Sequence, residues 1–127
     1  MDAPLAAMTT TECNFRLRAI ADTLYAVGGK WKLQIIVTLM QGESRFNGLQ
    51  RTIAGISSKV LAAELKDLEL NGFVRRTVSV GPPVVVEYTL TDYSRSLDGV
   101  LDALVAWGVQ HRESVKQEYL TRRHPNI

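Results

Sequence analysis

The chain has 127 residues, of which 46% are hydrophobic and 22% charged, and its formal net charge is +2. This size and composition fit one compact domain with its own core and exclude a disordered or fibrous protein. The chain has no apolar run of about 18 residues, and the N-terminal MDAPLAAMTTTEC is too short, acidic and threonine-rich for a signal peptide, so we expect a cytoplasmic protein that does not enter a membrane.

Two helices are predicted first, from apolar residues at helical spacing. The segment FRLRAIADTLYAV predicts an amphipathic helix that ends at Gly28 and Gly29, and KWKLQIIVTLM predicts the most buried helix of the domain, which ends before Gly42. The first apolar stripe consists of Leu17, Ile20, Ala21, Leu24 and Val27. The second consists of Trp31, Ile35 and Leu39, flanked by Ile36 and Met40.

A short third helix is predicted next, because Asn47 and Gln50 stand at capping-box spacing. We expect it to run through Ile53, with Phe46 and Leu49 also facing inward. The preceding ESRF segment is compatible with a short strand, and the following AGI segment predicts a tight turn.

The stretch GISSKVLAAELKDLELNG predicts a fourth helix with Ser57 as its N-cap and Gly72 as its stop. One face collects the apolar residues Leu61, Leu65 and Leu68, with Val60 at its margin. The opposite face carries small, hydroxyl and basic side chains, which are Ser58, Lys59, Ala62, Ala63 and Lys66. Residues 45–66 hold four cations (Arg45, Arg51, Lys59 and Lys66) against one acid, Glu64, a local charge of +3.

The C-terminal half predicts a hairpin and a long helix. FVRRTVSV and VVVEYTL are rich in β-branched residues and flank GPP, which favours a hairpin with a proline-containing tip. Thr91 is the expected cap of the last helix. A heptad-like seam follows, formed by Leu97, Leu101, Leu104, Gly108, His111 and Val115, with Val100 and Trp107 beside it. This seam predicts a homodimer, because one small domain cannot cover so much apolar surface.

This order of elements is typical of a winged helix-turn-helix, a mainly α fold with a small β-hairpin wing. A helix that enters the DNA major groove needs small residues for close approach, and hydroxyls and cations that reach phosphates and base edges. The face of the fourth helix that carries small, hydroxyl and basic side chains meets this need, and Ser57 would lie beside the groove. The same face is also compatible with an ordinary solvated helix whose alanines serve helix propensity.

The elements GGKW, RFN, GIS, LKDLE, NGFV and VEYTLT occur in this order, and residues 13–110 resemble the HxlR family of MarR-like winged-helix transcriptional regulators. The resemblance implies a homodimer that binds a double-stranded DNA operator, with a recognition helix over 57–71 and a wing over 81–84. It also implies dimerisation through the terminal helices. We accordingly expect a flexible segment over 1–13, the winged-helix domain over 14–121 and a short basic tail over 122–127.

Three positions depart from the common pattern of the family, and one of them, Ser94 in place of the usual glycine, has no functional meaning that we assign. Gly48 replaces an acidic residue that often follows the RFN triplet, and the wing reads PPVVVEY, where family members frequently carry an arginine. The nearest cations for contacts to the DNA backbone are then Arg75 and Arg76, at the base of the wing. The missing wing arginine and the modest net charge leave an alternative open, a winged-helix protein interaction module without specific DNA binding.

Cys13 is the candidate for an effector site. Some family members carry a cysteine near the first helix that senses electrophiles, quinones or oxidants, so the resemblance makes a redox or small-molecule effector an expectation. Arg16, Arg18 and the helix dipole favour the reactive thiolate, whereas Glu12 opposes it. A lone cysteine near an N-terminus is also compatible with an ordinary thiol.

Catalytic and metal-binding motifs are missing from the sequence. A single cysteine excludes a disulfide framework and a Cys-rich zinc site, and His111 and His124 lack the spacing of a metal site. His111 suits either a pH-sensitive or an ordinary polar contact between subunits. Trp31 and Trp107 suit core packing or a ligand pocket. We therefore predict neither an enzyme nor a cofactor.

Overall fold

The structure, a computed structural model, describes residues 8–123. The bounds of its elements are α1 (Thr10–Val27), α2 (Lys32–Met40), α3 (Phe46–Thr52), α4 (Ser58–Leu70), β1 (Val74–Ser79), β2 (Val85–Leu90), a 3-10 helix (Asp92–Leu97) and α5 (Asp98–Arg123). Residues 1–7 of the predicted N-terminal segment lie outside the described residues. So do residues 124–127 of the predicted basic tail, which include His124. The chain divides into two compact units, one up to Asp92 and one from Tyr93 onward.

Helix α1 begins five residues earlier than the apolar pattern indicates. Thr9 caps it, because its hydroxyl accepts a hydrogen bond from Glu12 N (3.1 Å) and the Glu12 carboxylate accepts one from Thr9 N (3.0 Å). This capping box satisfies amide groups that a helix end otherwise leaves unpaired. Residues 10–13 are therefore helical, and the prediction of a flexible segment through Cys13 is wrong for them. Of the predicted apolar stripe, only Val27 is buried.

Helix α2 is the most buried helix of the described residues, as predicted. It packs against α3, α4 and β2, and its buried residues are Ile35, Ile36, Thr38 and Leu39. The Thr38 hydroxyl donates to the Gln34 carbonyl (2.8 Å), which satisfies it inside the core. Met40 lies off the stripe and is 51% exposed, so its predicted burial is wrong. Trp31 is only half-buried, with the Lys30 ammonium 4.6 Å from its ring centre.

Helix α3 exists as predicted but begins at Phe46 rather than after an Asn47 cap. Arg45 occupies the N-cap position with an extended backbone and no capping hydrogen bond from its side chain. Leu49 and Ile53 are buried, whereas Phe46 is half-buried. The ESRF segment forms no strand, because its one backbone link to the hairpin is the bond from Tyr88 N to Ser44 O (2.8 Å).

Helix α4 and the hairpin agree with the sequence prediction. The strands β1 and β2 pair antiparallel from Val74 opposite Leu90 to Ser79 opposite Val85. Gly72, the predicted stop, has a φ of 83°, a left-handed conformation that glycine adopts without steric cost. Phe73 and Val74 then enter the core, and β1 packs against α4.

The second unit consists of the 3-10 helix and α5. Thr91 does not adjoin α5, because the 3-10 helix intervenes, and the Thr91 hydroxyl donates to the Gly72 carbonyl. The prediction that Thr91 caps the last helix is therefore wrong, because Thr91 precedes the 3-10 helix instead. With 26 residues, α5 is about 39 Å long at 1.5 Å per residue. None of the helices within residues 8–123 combines the length and apolarity needed to cross a membrane.

Candidate nucleic-acid interface

The candidate recognition helix α4 is held in place by one apolar face. The Ser57 hydroxyl caps it by accepting from Val60 N (3.2 Å), and Leu61, Leu65 and Leu68 are almost completely buried. Because these leucines face α2 and β1, the opposite face must point to solvent. All six predicted residues of that face are exposed, namely Ser57, Ser58, Lys59, Ala62, Ala63 and Lys66. Their contact with DNA stays a prediction.

A tight turn joins α3 to α4 and anchors both helices. Ile53 and Ile56 are buried on either side of Gly55, whose φ of 84° allows the sharp reversal. Arg45, before α3, and Arg51, in its last turn, are both exposed. Arg51 therefore lies next to the turn that fixes the start of α4, whereas Arg45 lies at the other end of α3.

The two arginines of the wing base do not share one face. Successive side chains of a strand point to opposite sides, and Val74, which is buried, lies on the same side of β1 as Arg76. Arg76 therefore points to the side of the hairpin that faces α4, whereas Arg75 points away from it. The sequence alone does not distinguish the two arginines, whereas the structure places them on opposite faces of β1.

A groove of about 250 Å³ lies between α4 and the hairpin. Its lining residues are Ala62, Lys66, Glu69, Arg76 and Tyr88. Three of the predicted DNA-contacting residues, Ala62, Lys66 and Arg76, thus meet at one site. Tyr88 and Glu69 were missed by the sequence analysis. Tyr88 is the direct partner of Arg76 across the hairpin, and counting equal distances from the GPP turn would have found it.

Lys32 links α2 to the flank of the recognition helix. Its ammonium lies 2.9 Å from Glu64 Oε2 and 3.4 Å from Asp67 Oδ2, and its side chain is only 11% exposed. The hydrogen bond to Glu64 raises the pKa of Lys32 above its ordinary value of 10.5, against the opposing effect of burial. The network pairs charges that would be costly to leave alone. It therefore helps to fix α4 on the core.

We expect Lys32→Met to lower the free energy of unfolding by about 1–2 kcal/mol, between the values of exposed and buried ion pairs. Because the folded pKa is raised, the stabilisation is complete below pH 10.5 and is lost only as the pH rises through the folded pKa. Urea unfolding at neutral and alkaline pH measures both effects. The matched control is Lys116→Met, whose pair with Glu113 spans 3.9 Å on the surface and should contribute nothing measurable. Equal stability of the two variants would contradict the assignment.

The predicted dimer residues lie at the end of the 3-10 helix (Leu97) and on α5, with two levels of burial. Leu97 and Leu101 are buried within the chain, whereas Val100, Leu104 and Trp107 are exposed. The Trp107 and His111 rings stack with centroids 4.6 Å apart and planes at 14°. Trp107 is 64% exposed, so its expected packing in the core of one chain is wrong. Beyond Leu101, the apolar side chains of the seam on α5 are exposed, as at Leu104 and Val115.

Cys13 is half-buried within the first turns of α1, not before the helix. Its backbone N–H donates to Thr9 O (2.9 Å). It therefore lies close to the positive end of the helix dipole. No cluster of histidine, cysteine and carboxylate side chains suited to a metal ion occurs within residues 8–123.

Residues 26–116 match the family described as HxlR-like helix-turn-helix. The chain belongs to this family. The match covers most of the chain and confirms the resemblance drawn from the sequence motifs. An HxlR-like helix-turn-helix protein is a transcriptional regulator, and the two-stranded hairpin after α4 is its wing.

Relatives of this HxlR-like chain have similar sequences and folds. The chain is 42% identical to the HTH-type transcriptional regulator YtcD of Bacillus subtilis (strain 168) over 93 residues. The match covers 73% of this chain and 74% of YtcD. The solved structure of the redox regulator HypR in its reduced form has a TM-score of 0.72 at 32% identity, covering 78% of this chain and 98% of HypR. Diamide-treated YodB from B. subtilis has a TM-score of 0.62 at 36% identity, covering 82% and 95%.

Proposed function

We propose that the protein binds a pseudo-palindromic operator as a homodimer, with α4 of each subunit in the major groove. The observation that carries the proposal is the exposed face of α4, which combines small residues with Lys59 and Lys66 on a helix whose other face is buried. Such a face can approach base edges closely while its cations reach phosphates. The half-sites should lie about one helical turn, roughly 10 bp, apart or a multiple of that.

The dimer is proposed from the apolar surface of α5. Leu104 of the seam and Val100 and Trp107 beside it are exposed at successive helical turns, and exposed apolar surface of this length favours a two-fold partner. In an isologous interface each α5 seam would pack on the other, so that one set of residues serves both subunits. A two-fold protein then matches a two-fold DNA site. We expect regulation of transcription without enzymatic activity.

Binding to the promoter fragment that adjoins the protein's own gene tests this function. We expect a discrete shifted species in a gel-shift experiment, with an affinity that falls steeply as salt rises, because bound phosphates release counterions. A shuffled fragment of equal length is the matched control. Equal affinity for both fragments would contradict specific operator binding.

The alternative function is a protein interaction module. It is favoured by the wing tip, where Val84 is exposed in place of the arginine frequent in the family. A module of this kind would bind neither fragment above the weak, salt-sensitive level of non-specific association. The same gel-shift experiment therefore separates the two functions.

We propose Cys13 as a thiol sensor. It lies near the start of α1, and the similar protein YodB has been solved in diamide-treated and quinone-bound forms. Two Cys13 thiols, one from each subunit, would lose two electrons and two protons to diamide and form an intersubunit disulfide. Such a bond, or a quinone adduct, would change the relative positions of the two recognition helices.

We expect diamide or a quinone to change the operator affinity of the wild type by at least about tenfold, the size of a typical coupling free energy. Cys13→Ser should keep the unmodified affinity under both reagents. Non-reducing electrophoresis and mass spectrometry would follow the disulfide and the adduct. Because Cys13 is the sole cysteine, a wild type that reacts fully without any change of affinity would reduce it to an ordinary thiol.

A further inference from the structure

The groove between α4 and the hairpin has walls from three elements. Ala62, Lys66 and Glu69 follow one another at i, i+4 and i+7 and thus form a single stripe on α4. Arg76 of β1 and Tyr88 of β2 form the opposite wall. Both walls belong to the compact first unit, where β1 packs on α4 and β2 packs on α2 and α3.

The pairing of Arg76 and Tyr88 holds their side chains close together. They are direct partners across the hairpin. The Tyr88 N–H points away from β1, because it donates to Ser44 O (2.8 Å). The pair is therefore of the non-hydrogen-bonded type, in which the two side chains approach most closely. The bond to Ser44 also anchors this point of the wing to the loop before α3.

The polar groups of the groove are available to a ligand. Among the described residues, no carboxylate lies within ion-pair distance of Lys66 or Arg76. No described residue donates a hydrogen bond to the Tyr88 hydroxyl or accepts one from it. Two cations and a phenol therefore lie around one groove without an ion-pair or hydrogen-bond partner among the described residues. This arrangement suits an oxyanion, since arginine, lysine and tyrosine all donate to phosphate oxygens.

Glu69 distinguishes between two sources of phosphate. With Lys66 and Arg76 it leaves the groove with a net charge of +1. A phosphodiester carries one negative charge, whereas a terminal phosphate group carries about −1.5 to −2 at neutral pH. The carboxylate would repel the more highly charged group. The groove therefore matches the DNA backbone better than a free phosphate or a phosphorylated metabolite.

We propose that this groove binds one backbone phosphate of the operator in each half-site, with Tyr88 donating a hydrogen bond to it and Arg76 and Lys66 supplying the charge. The proposal rests on the proposed function and adds a residue, Tyr88, to its contacts. A phosphate held between α4 and the hairpin would fix the register of the recognition helix on the duplex. The base of the wing would thus position the protein although its tip lacks an arginine.

Variants with matched controls test the groove by operator binding over a range of salt concentrations. Tyr88→Phe should weaken binding by at least about tenfold for each subunit, the usual effect of one hydrogen bond to a charged group, with the salt slope unchanged. Arg76→Gln should weaken binding and lower the slope by about 0.9 per subunit, or roughly two per dimer. Arg75→Gln removes the same charge from the other face of β1 and should have the smaller effect. Equal effects of the two arginine variants would overturn the proposal.

Single neutral methylphosphonates in the operator locate the contact. We expect one position per half-site at which the substitution weakens the wild type but has no further effect on the Tyr88→Phe, Arg76→Gln double variant. Additive losses at every position would overturn the proposal. Saturable binding of inorganic phosphate to the DNA-free protein, abolished by Arg76→Gln, would reassign the groove to a free anion and also overturn it.

Failure of the groove and failure of the proposed function are distinguishable. If Lys59→Ala weakens operator binding while Tyr88→Phe and Arg76→Gln leave it unchanged, α4 binds DNA and the groove does not. If the wild type binds no DNA specifically, both proposals fail together.

Discussion

We expect Leu104→Asp to dissociate the dimer into folded monomers. Leu104 lies on the α5 seam and is 48% exposed in the single chain, so its replacement should leave the monomer intact. In a two-fold interface each subunit would lose one buried leucine, worth about 1.5–3 kcal/mol, and would face a carboxylate without a partner. The dimer dissociation constant should therefore rise by more than about 100-fold. Operator affinity should fall with it, because one half-site alone binds weakly.

Sedimentation at micromolar concentration measures the mass of the variant directly. Ala106→Asp is the matched control, since Ala106 is exposed on α5 opposite the seam and receives the same charge. We expect this control to sediment as the wild-type dimer. A wild type that sediments as a folded monomer, or a Leu104→Asp variant with the mass of a dimer, would refute an interface through the seam.

The second large effect is expected for the double variant Arg51→Ala, Lys59→Ala. Both side chains are exposed, one in the last turn of α3 and one in the first turn of α4. If each contacts one phosphate in each subunit, four contacts are lost from the dimer. The salt slope should then fall by about 3.6, and affinity at physiological salt should fall by more than about 100-fold.

Arg95→Ala combined with Lys116→Ala controls for the lower net charge. Both residues are exposed on the second unit and removing them changes the charge of the protein by the same amount. Only a small, uniform loss of affinity is expected for this pair, since it alters the general field and no local contact. Indistinguishable behaviour of the two double variants would remove α3 and α4 from the interface.

Local signals in the sequence were sufficient for most elements of the fold. The apolar spacing of Leu61, Leu65 and Leu68 and the Ser57 cap predict α4 correctly, because both depend on residues within a few turns of one helix. The β-branched runs around GPP predict the hairpin for the same reason. The errors lie at ends: the Thr9 and Glu12 capping box precedes the apolar pattern of α1, and Asn47 is not the cap of α3.

The sequence by itself determined the family, the order of the elements and the exposed basic face of α4. Only the tertiary structure decided which distant residues meet. Lys32 pairs with Glu64 across 32 positions, and Arg76 but not Arg75 joins Lys66 and Tyr88 in one groove. The physical reason is that helical and strand periodicity fixes the direction of a side chain within its own element. The neighbour that the side chain finds depends on how the elements pack, which no short stretch of sequence encodes.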